Sequence, residues 1–119
     1  MSAALDPRYP HARQYLREVQ GDSMNARGIN PGDYAHIVDF GDTGANINTG
    51  MVVEVTRTRM GGQLREITLK EAEVGPGGVV LWPRSTNPRW KDPVPLEADD
   101  GSDVEVQITG ILLSVIRRF

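Results

Sequence analysis

The sequence predicts a mostly β domain, with strongly curved sheets or a partial barrel and short helical turns. Three observations predict it. Short strand-like runs recur at regular spacing, clusters of Gly and Pro punctuate them, and 119 residues suffice for one domain with one modest core.

Taken in order, "MSAALDPRYPHARQ" carries two prolines and little periodicity, so residues 1–14 read as an irregular arm and 15–119 as the folded domain. A first strand is expected over Tyr15 to Val19. "SMNARGI" suits one helical turn ended by Gly28, and "NPGD" is a turn in which Pro31 and Gly32 fix the backbone. "YAHIVDF" is the next strand and "GDTGANINTG" a glycine-rich loop. "MVVEVTRTR" alternates as a strand should, and "MGGQ" turns it into a paired strand at "LREITLKEAEV". "GPGG" is a further turn, "VVLWP" a strand, "RSTNPRWKDPVPL" a proline-rich excursion and "DDGSD" a loop. "VEVQITGILLSVIRR" closes the chain as a long strand with a kink or bulge at Gly110.

Composition excludes several kinds of chemistry. There is no cysteine, so disulfides, thiolate metal sites and cysteine nucleophiles are ruled out and a cytoplasmic location is expected. The net charge is −3 with scattered basic residues, which gives no footprint for a phosphate backbone. The most apolar stretch, Gly110 to Ile116, falls far short of the roughly 20 residues that span a bilayer, so no membrane partner is expected. Eleven of the 13 basic residues are Arg, so any amine base must be Lys70 or Lys91.

Ser23, in "GDSM", is the candidate nucleophile. A serine hydroxyl needs a base within hydrogen-bond reach. His11 and His36, with Asp39 or Asp22, supply the parts of a triad, but no local pattern supports one. Lys70 lies in "EITLKEA", where Ile67 and Leu69 occupy one face of the strand and Thr68, Lys70 and Ala72 the other. If the turn carrying Ser23 covered that second face, burial would disfavour the ammonium and leave a neutral amine able to take the serine proton. The competing reading of the same letters is a capped turn and a solvated lysine.

Order along the chain adds to this. "VQGDSM", "GINPGDY", "NTGMVV", "ITLK", "LWPRSTNPRW" and "ITGILLSVIR" follow one another in a series that resembles the C-terminal domain of LexA, of the phage lambda repressor group and of the UmuD proteins, the self-cleaving serine-lysine peptidases. The resemblance covers about residues 15 to 118 and implies the curved β fold of the LexA C-terminal domain. It implies Ser23 as nucleophile and Lys70 as general base. Gly21 and Met24 flank the nucleophile, and the oxyanion donors would be the N–H of Ser23 and one adjacent to it. Gly28, Pro31, Gly32, Asp33, Gly50 and Gly110 would shape turns and bends, and Asn87 and Pro88 would hold the loop after Trp82.

The function so implied is that of a regulatory domain of a transcriptional repressor, which cleaves itself and thereby relieves repression. It needs no metal or cofactor. Its expected partners are a second copy in a homodimer, its own upstream cleavage segment as substrate, and a RecA–DNA filament as co-activator in the response to DNA damage. Contact with DNA would be made only through a preceding helix-turn-helix domain, for which the arm before Tyr15 has no room. Two departures stand out: no Ala-Gly or Cys-Gly bond lies upstream of Ser23, and Glu71 follows Lys70 where relatives often carry a basic residue. Alternation should send Glu71 to the face opposite Lys70. Signal peptidases also pair Ser-Met with a later lysine, but Asn25-Ala26-Arg27 and the missing span argue against that group. The alternatives are a dimerisation or protein-binding module whose dyad is unused, pairing through "ITGILLSVIRRF" as an edge strand, and a UmuD-like accessory subunit of a translesion polymerase.

Overall fold

The computed structural model describes residues 5–96 and 103–117. Seven strands form one antiparallel sheet that does not close into a barrel: β1 (Gln14–Glu18), β2 (Tyr34–Asp39), β3 (Val52–Arg59), β4 (Leu64–Gly75), β5 (Gly78–Trp82), β6 (Val94–Pro95) and β7 (Glu105–Ile116). Their order in the sheet is β1-β2-β7-β3-β4-β5-β6. The mostly β expectation therefore holds, with three short helical turns at Asn25–Arg27, Phe40–Thr43 and Met60–Gly62.

The strand starts and stops follow local chemistry. Gly28 ends the first helical turn in the left-handed region at φ 76°, a conformation that costs glycine little because it has no Cβ. The NPGD turn is fixed by Asp33, which accepts from the Asn30 N–H at 2.9 Å and from Arg117 at 3.3 Å. β3 pairs over its full length with β4, from Val52 opposite Glu71 to Arg59 opposite Leu64, the hairpin that the alternation predicted.

Four differences from the sequence reading have identifiable causes. Phe40 leaves β2 to begin a helical turn, so the expected loop opens with Phe40–Thr43. The proline-rich excursion contains a two-residue strand: Pro95 sits opposite Val80 on β5, at a sheet edge, where a missing N–H is tolerated. The arm is anchored within residues 5–14, since the Gln14 amide donates to the carbonyls of Asp6 and Tyr9, and Ala12 is buried against Val38 and Ile111. Lastly, β7 is central. It pairs with β3 through Glu105 to Ile111 on one side and with β2 through Gly110 to Ile116 on the other, so the expected edge strand lies inside the sheet order, and Leu112 to Ile116 keep one side without a strand partner among the described residues. Most of the "DDGSD" loop lies outside the described residues.

The bend expected at Gly110 is present and has a packing reason. Partners of β3 jump from Gly110 to Ile108, leaving Thr109 as the extra residue of a bulge. A Cβ on Gly110 would meet Ile37 Cγ2 at 2.4 Å, and Glu54 Cβ and the Tyr15 hydroxyl at 3.2 Å each. Only glycine fits there. The core divides into three clusters, Val53, Val55, Ala72 and Leu81 in one, Ala12, Val38 and Ile111 in a second, and Met24, Ile29 and Val52 in a third, with Leu69 packed against the third.

Candidate active site

Consecutive residues line one cavity. It has a volume of about 330 Å³ and is bordered by Arg17 to Gly21 on one side and Ile67 to Lys70 on the other, with Ser23, Met24, Ile37 and Trp90 completing it. Successive strand residues point to opposite faces, so four in a row can border one cavity only where the strand presents its edge. β4 does so because β5 pairs with it only from Glu71 to Gly75, leaving Ile67 to Lys70 with β3 on one side alone. The four residues singled out from the sequence, Gly21, Ser23, Met24 and Lys70, thus share this cavity.

Lys70 is 5 % exposed, unusual for a lysine on a strand. Its Nζ lies 5.7 Å from the centroid of the Trp90 ring, and among the described residues it has no hydrogen bond and no ion-pair partner. Burial pushes the amine below its ordinary value. Glu66 opposes that and Arg57 adds to it, and the two are an ion pair at 3.6 Å. The cover over Lys70 includes a group that the sequence reading did not name. The turn carrying Ser23 packs through Met24 onto Val52 and Leu69, and the group over Nζ is the indole of Trp90.

Ser23 is half-buried at the start of the turn. Among the described residues its Oγ is not hydrogen-bonded to Lys70 or to any other group; the two share the cavity and its solvent. The N–H groups of Ser23 and Met24 likewise donate to no described residue, which leaves them free to meet an oxyanion.

The loop after β5 grips this turn. Arg84 N–H donates to the Ser23 carbonyl at 2.9 Å, and the Ala26 N–H donates to the Arg84 carbonyl at 2.9 Å. Ser85 Oγ donates to the Asp22 carbonyl at 2.7 Å, Asn87 Nδ2 to Asp22 Oδ2 at 3.2 Å, and Trp90 Nε1 to Asp22 Oδ1 at 2.7 Å. Asn87 therefore holds the loop as expected. Asp22 is occupied as an acceptor, not as the acid of a triad. His36 donates its Nε2–H to Gln14 Oε1 at 2.9 Å, and neither histidine lines the cavity. Glu71 lies away from Lys70, between Arg27 and Arg84. Burial raises its carboxyl, but the Arg84 and Arg27 guanidinium groups outweigh this and hold it below the usual range.

Sequence reasoning missed Glu54. It is 2 % exposed, and its carboxylate accepts from the Tyr15 hydroxyl, Arg17 Nε and Thr109 Oγ1, each at 2.7 Å. The Tyr15 hydroxyl, buried and beside that carboxylate, is pushed up to about 12. This network fixes Arg17, one wall of the cavity, to the middle of the sheet. The available signal was a carboxylate between two valines in "VVEVT", but its partners lie 37 to 55 positions away in the chain.

Among the described residues, no group of three or more His, Cys, Asp or Glu side chains could hold a metal ion, and no helix is long and apolar enough to cross a membrane. In a comparison with models of protein families, none matches this chain.

Proposed function

We propose that the protein is a serine-lysine dyad peptidase of the LexA, phage repressor and UmuD kind, the regulatory domain of a repressor that is inactivated by cutting its own upstream segment. The observation that carries the reading is the shared cavity: a half-buried serine and a buried lysine with no ion-pair partner among the described residues border one space, beside two N–H groups that donate to no described residue. A lysine 5 % exposed without an acidic partner is costly for a purely structural role and useful for a base.

In the proposed reaction, neutral Lys70 takes the Ser23 hydroxyl proton as Oγ bonds to the scissile carbonyl carbon. The carbonyl electrons move onto oxygen, where the N–H groups of Ser23 and Met24 receive them. Collapse breaks the C–N bond, and Lys70 returns the proton to the leaving amine. Water, deprotonated by Lys70, then releases the acyl group from Ser23. An extended segment suits the cavity, because the open edges at Arg17 to Gly21 and Ile67 to Lys70 offer backbone groups to a strand laid between them. A docked segment would also exclude water from Nζ, so a co-activator such as a RecA–DNA filament could regulate cutting by favouring docking alone.

The direct test joins an upstream segment carrying an Ala-Gly bond to the chain and raises the pH, with the same sequence as a free peptide in parallel. Cutting at that bond which is lost in Ser23→Ala and in Lys70→Ala is the expected result. No cutting of either substrate, or cutting undiminished in Ser23→Ala, would leave the passive dimerisation module as the better reading.

A further inference from the structure

One loop touches both members of the dyad. Residues 84 to 90 bind the Ser23 turn through Arg84, Ser85 and Asn87, and the same loop carries the indole that lies over Lys70 Nζ. The two functions meet at Asp22. One of its oxygens takes the Trp90 N–H and the other the Asn87 amide, across 68 and 65 positions of sequence. Resting on the dyad reading, we infer that Asp22 and Trp90 are positioning residues: the Asp22 carboxylate pins the indole over Lys70, and the pinned ring keeps water from the base while the same carboxylate anchors the nucleophile's turn.

The ring acts on the amine in two opposite ways. Its face attracts an ammonium, which favours the charged form, and its bulk excludes water, which disfavours it. Distance decides between them. At 5.7 Å the amine is close to the outer limit of about 6 Å for the attraction, whereas Trp90 and Lys70 border one cavity, so removing the indole opens that side of the amine to water. Other charges facing the amine are Glu66 on β4, Arg57 on β3, Arg17 and Glu18 at the cavity wall, and Arg89, whose guanidinium lies 5.1 Å from the Trp90 ring centroid. Glu66 favours the ammonium and Arg57 opposes it. The Asp22 carboxylate, bound to the indole N–H, is the one charge a variant below removes, and its loss by charge alone would lower the midpoint, so a rise in Asp22→Ala reads the ring and not the charge.

The chain has only two lysines, Lys70 and Lys91, so a protein labelled with ¹³Cε-lysine gives two side-chain signals, assigned by Lys91→Arg. The Lys70 signal of the unaltered chain is expected to titrate below the ordinary value of about 10.4. In Trp90→Ala its midpoint should rise by about one pH unit or more as water reaches Nζ. Asp22→Ala should produce a rise of the same sign, the double variant no further rise, and Trp90→Phe, which keeps a ring without its N–H, an intermediate one. A midpoint that stays put or falls in Trp90→Ala overturns the inference, as does an Asp22→Ala midpoint equal to that of the unaltered chain. The rate of Ser23 phosphonylation against pH, measured on the same proteins, separates the two ideas. Midpoints that move as stated without any reaction at Ser23 would sink the peptidase reading and leave the pinned ring standing. Reaction at Ser23 with unmoved midpoints would do the reverse.

Discussion

Replacing Gly110 by alanine places a methyl group where the sheet has no room. The new Cβ would lie 2.4 Å from Ile37 Cγ2, against a normal carbon–carbon contact of about 3.5–4.0 Å, so more than an ångström must be absorbed. Ile37 is fully buried and borders the cavity, and the other neighbours are Glu54 Cβ and the Tyr15 hydroxyl, both held in the buried polar network. Overpacking of this kind costs about 1–3 kcal/mol, and the lack of a yielding neighbour puts Gly110→Ala at the upper end. With a urea slope of about 2 kcal/mol per M, the unfolding midpoint should fall by about 1.5 M with the slope unchanged. Ile37→Ala removes the methyl group that is struck, so the double variant should be more stable than the sum of the two single losses by about 1–2 kcal/mol. A midpoint shift under about 0.3 M, or strict additivity in the double variant, would refute the close approach as the reason for glycine here.

The remaining expectations concern charge. Lys70→Met should stabilise the fold at pH 7. The folded amine titrates below the unfolded one, so between those two values the unfolded chain binds more protons, and the unaltered protein gains stability as pH rises through that window. The advantage of Lys70→Met in urea unfolding should therefore be largest below the folded value and shrink as the pH rises toward about 10.4. Glu54→Ala strands the Tyr15 hydroxyl, leaves Thr109 Oγ1 with the Thr56 hydroxyl and lets the partly exposed Arg17 turn to water, so a loss of about 1–3 kcal/mol is expected from thermal or urea unfolding. Absorbance at 295 nm should show one tyrosine ionising at about 12, and Glu54→Gln should bring that step down.

Much of the fold could be read from the sequence because its determinants are local. Alternation in "MVVEVTRTR" and "LREITLKEAEV" placed the β3–β4 hairpin, and the glycines and prolines placed its neighbours' ends. What escaped depends on contacts distant in sequence. The central position of β7 follows from pairing with both β2 and β3, and nothing within "ITGILLSVIRR" distinguishes an edge from a centre. Ser23 and Lys70 stood out through residue type and order along the chain. The partners that organise their surroundings, Trp90 for Asp22 and Tyr15, Arg17 and Thr109 for Glu54, become visible only once the chain is folded.

Reaction of the intact protein with a fluorophosphonate, followed by mass spectrometry across the pH range, tests the central claim most directly. The dyad account requires a single adduct on Ser23 whose rate of formation climbs as Lys70 loses its proton, with a midpoint below that of an ordinary lysine, and which collapses in Lys70→Ala. No adduct at Ser23 at any pH, or a Lys70→Ala protein reacting at an unchanged rate with an unchanged profile, would contradict it.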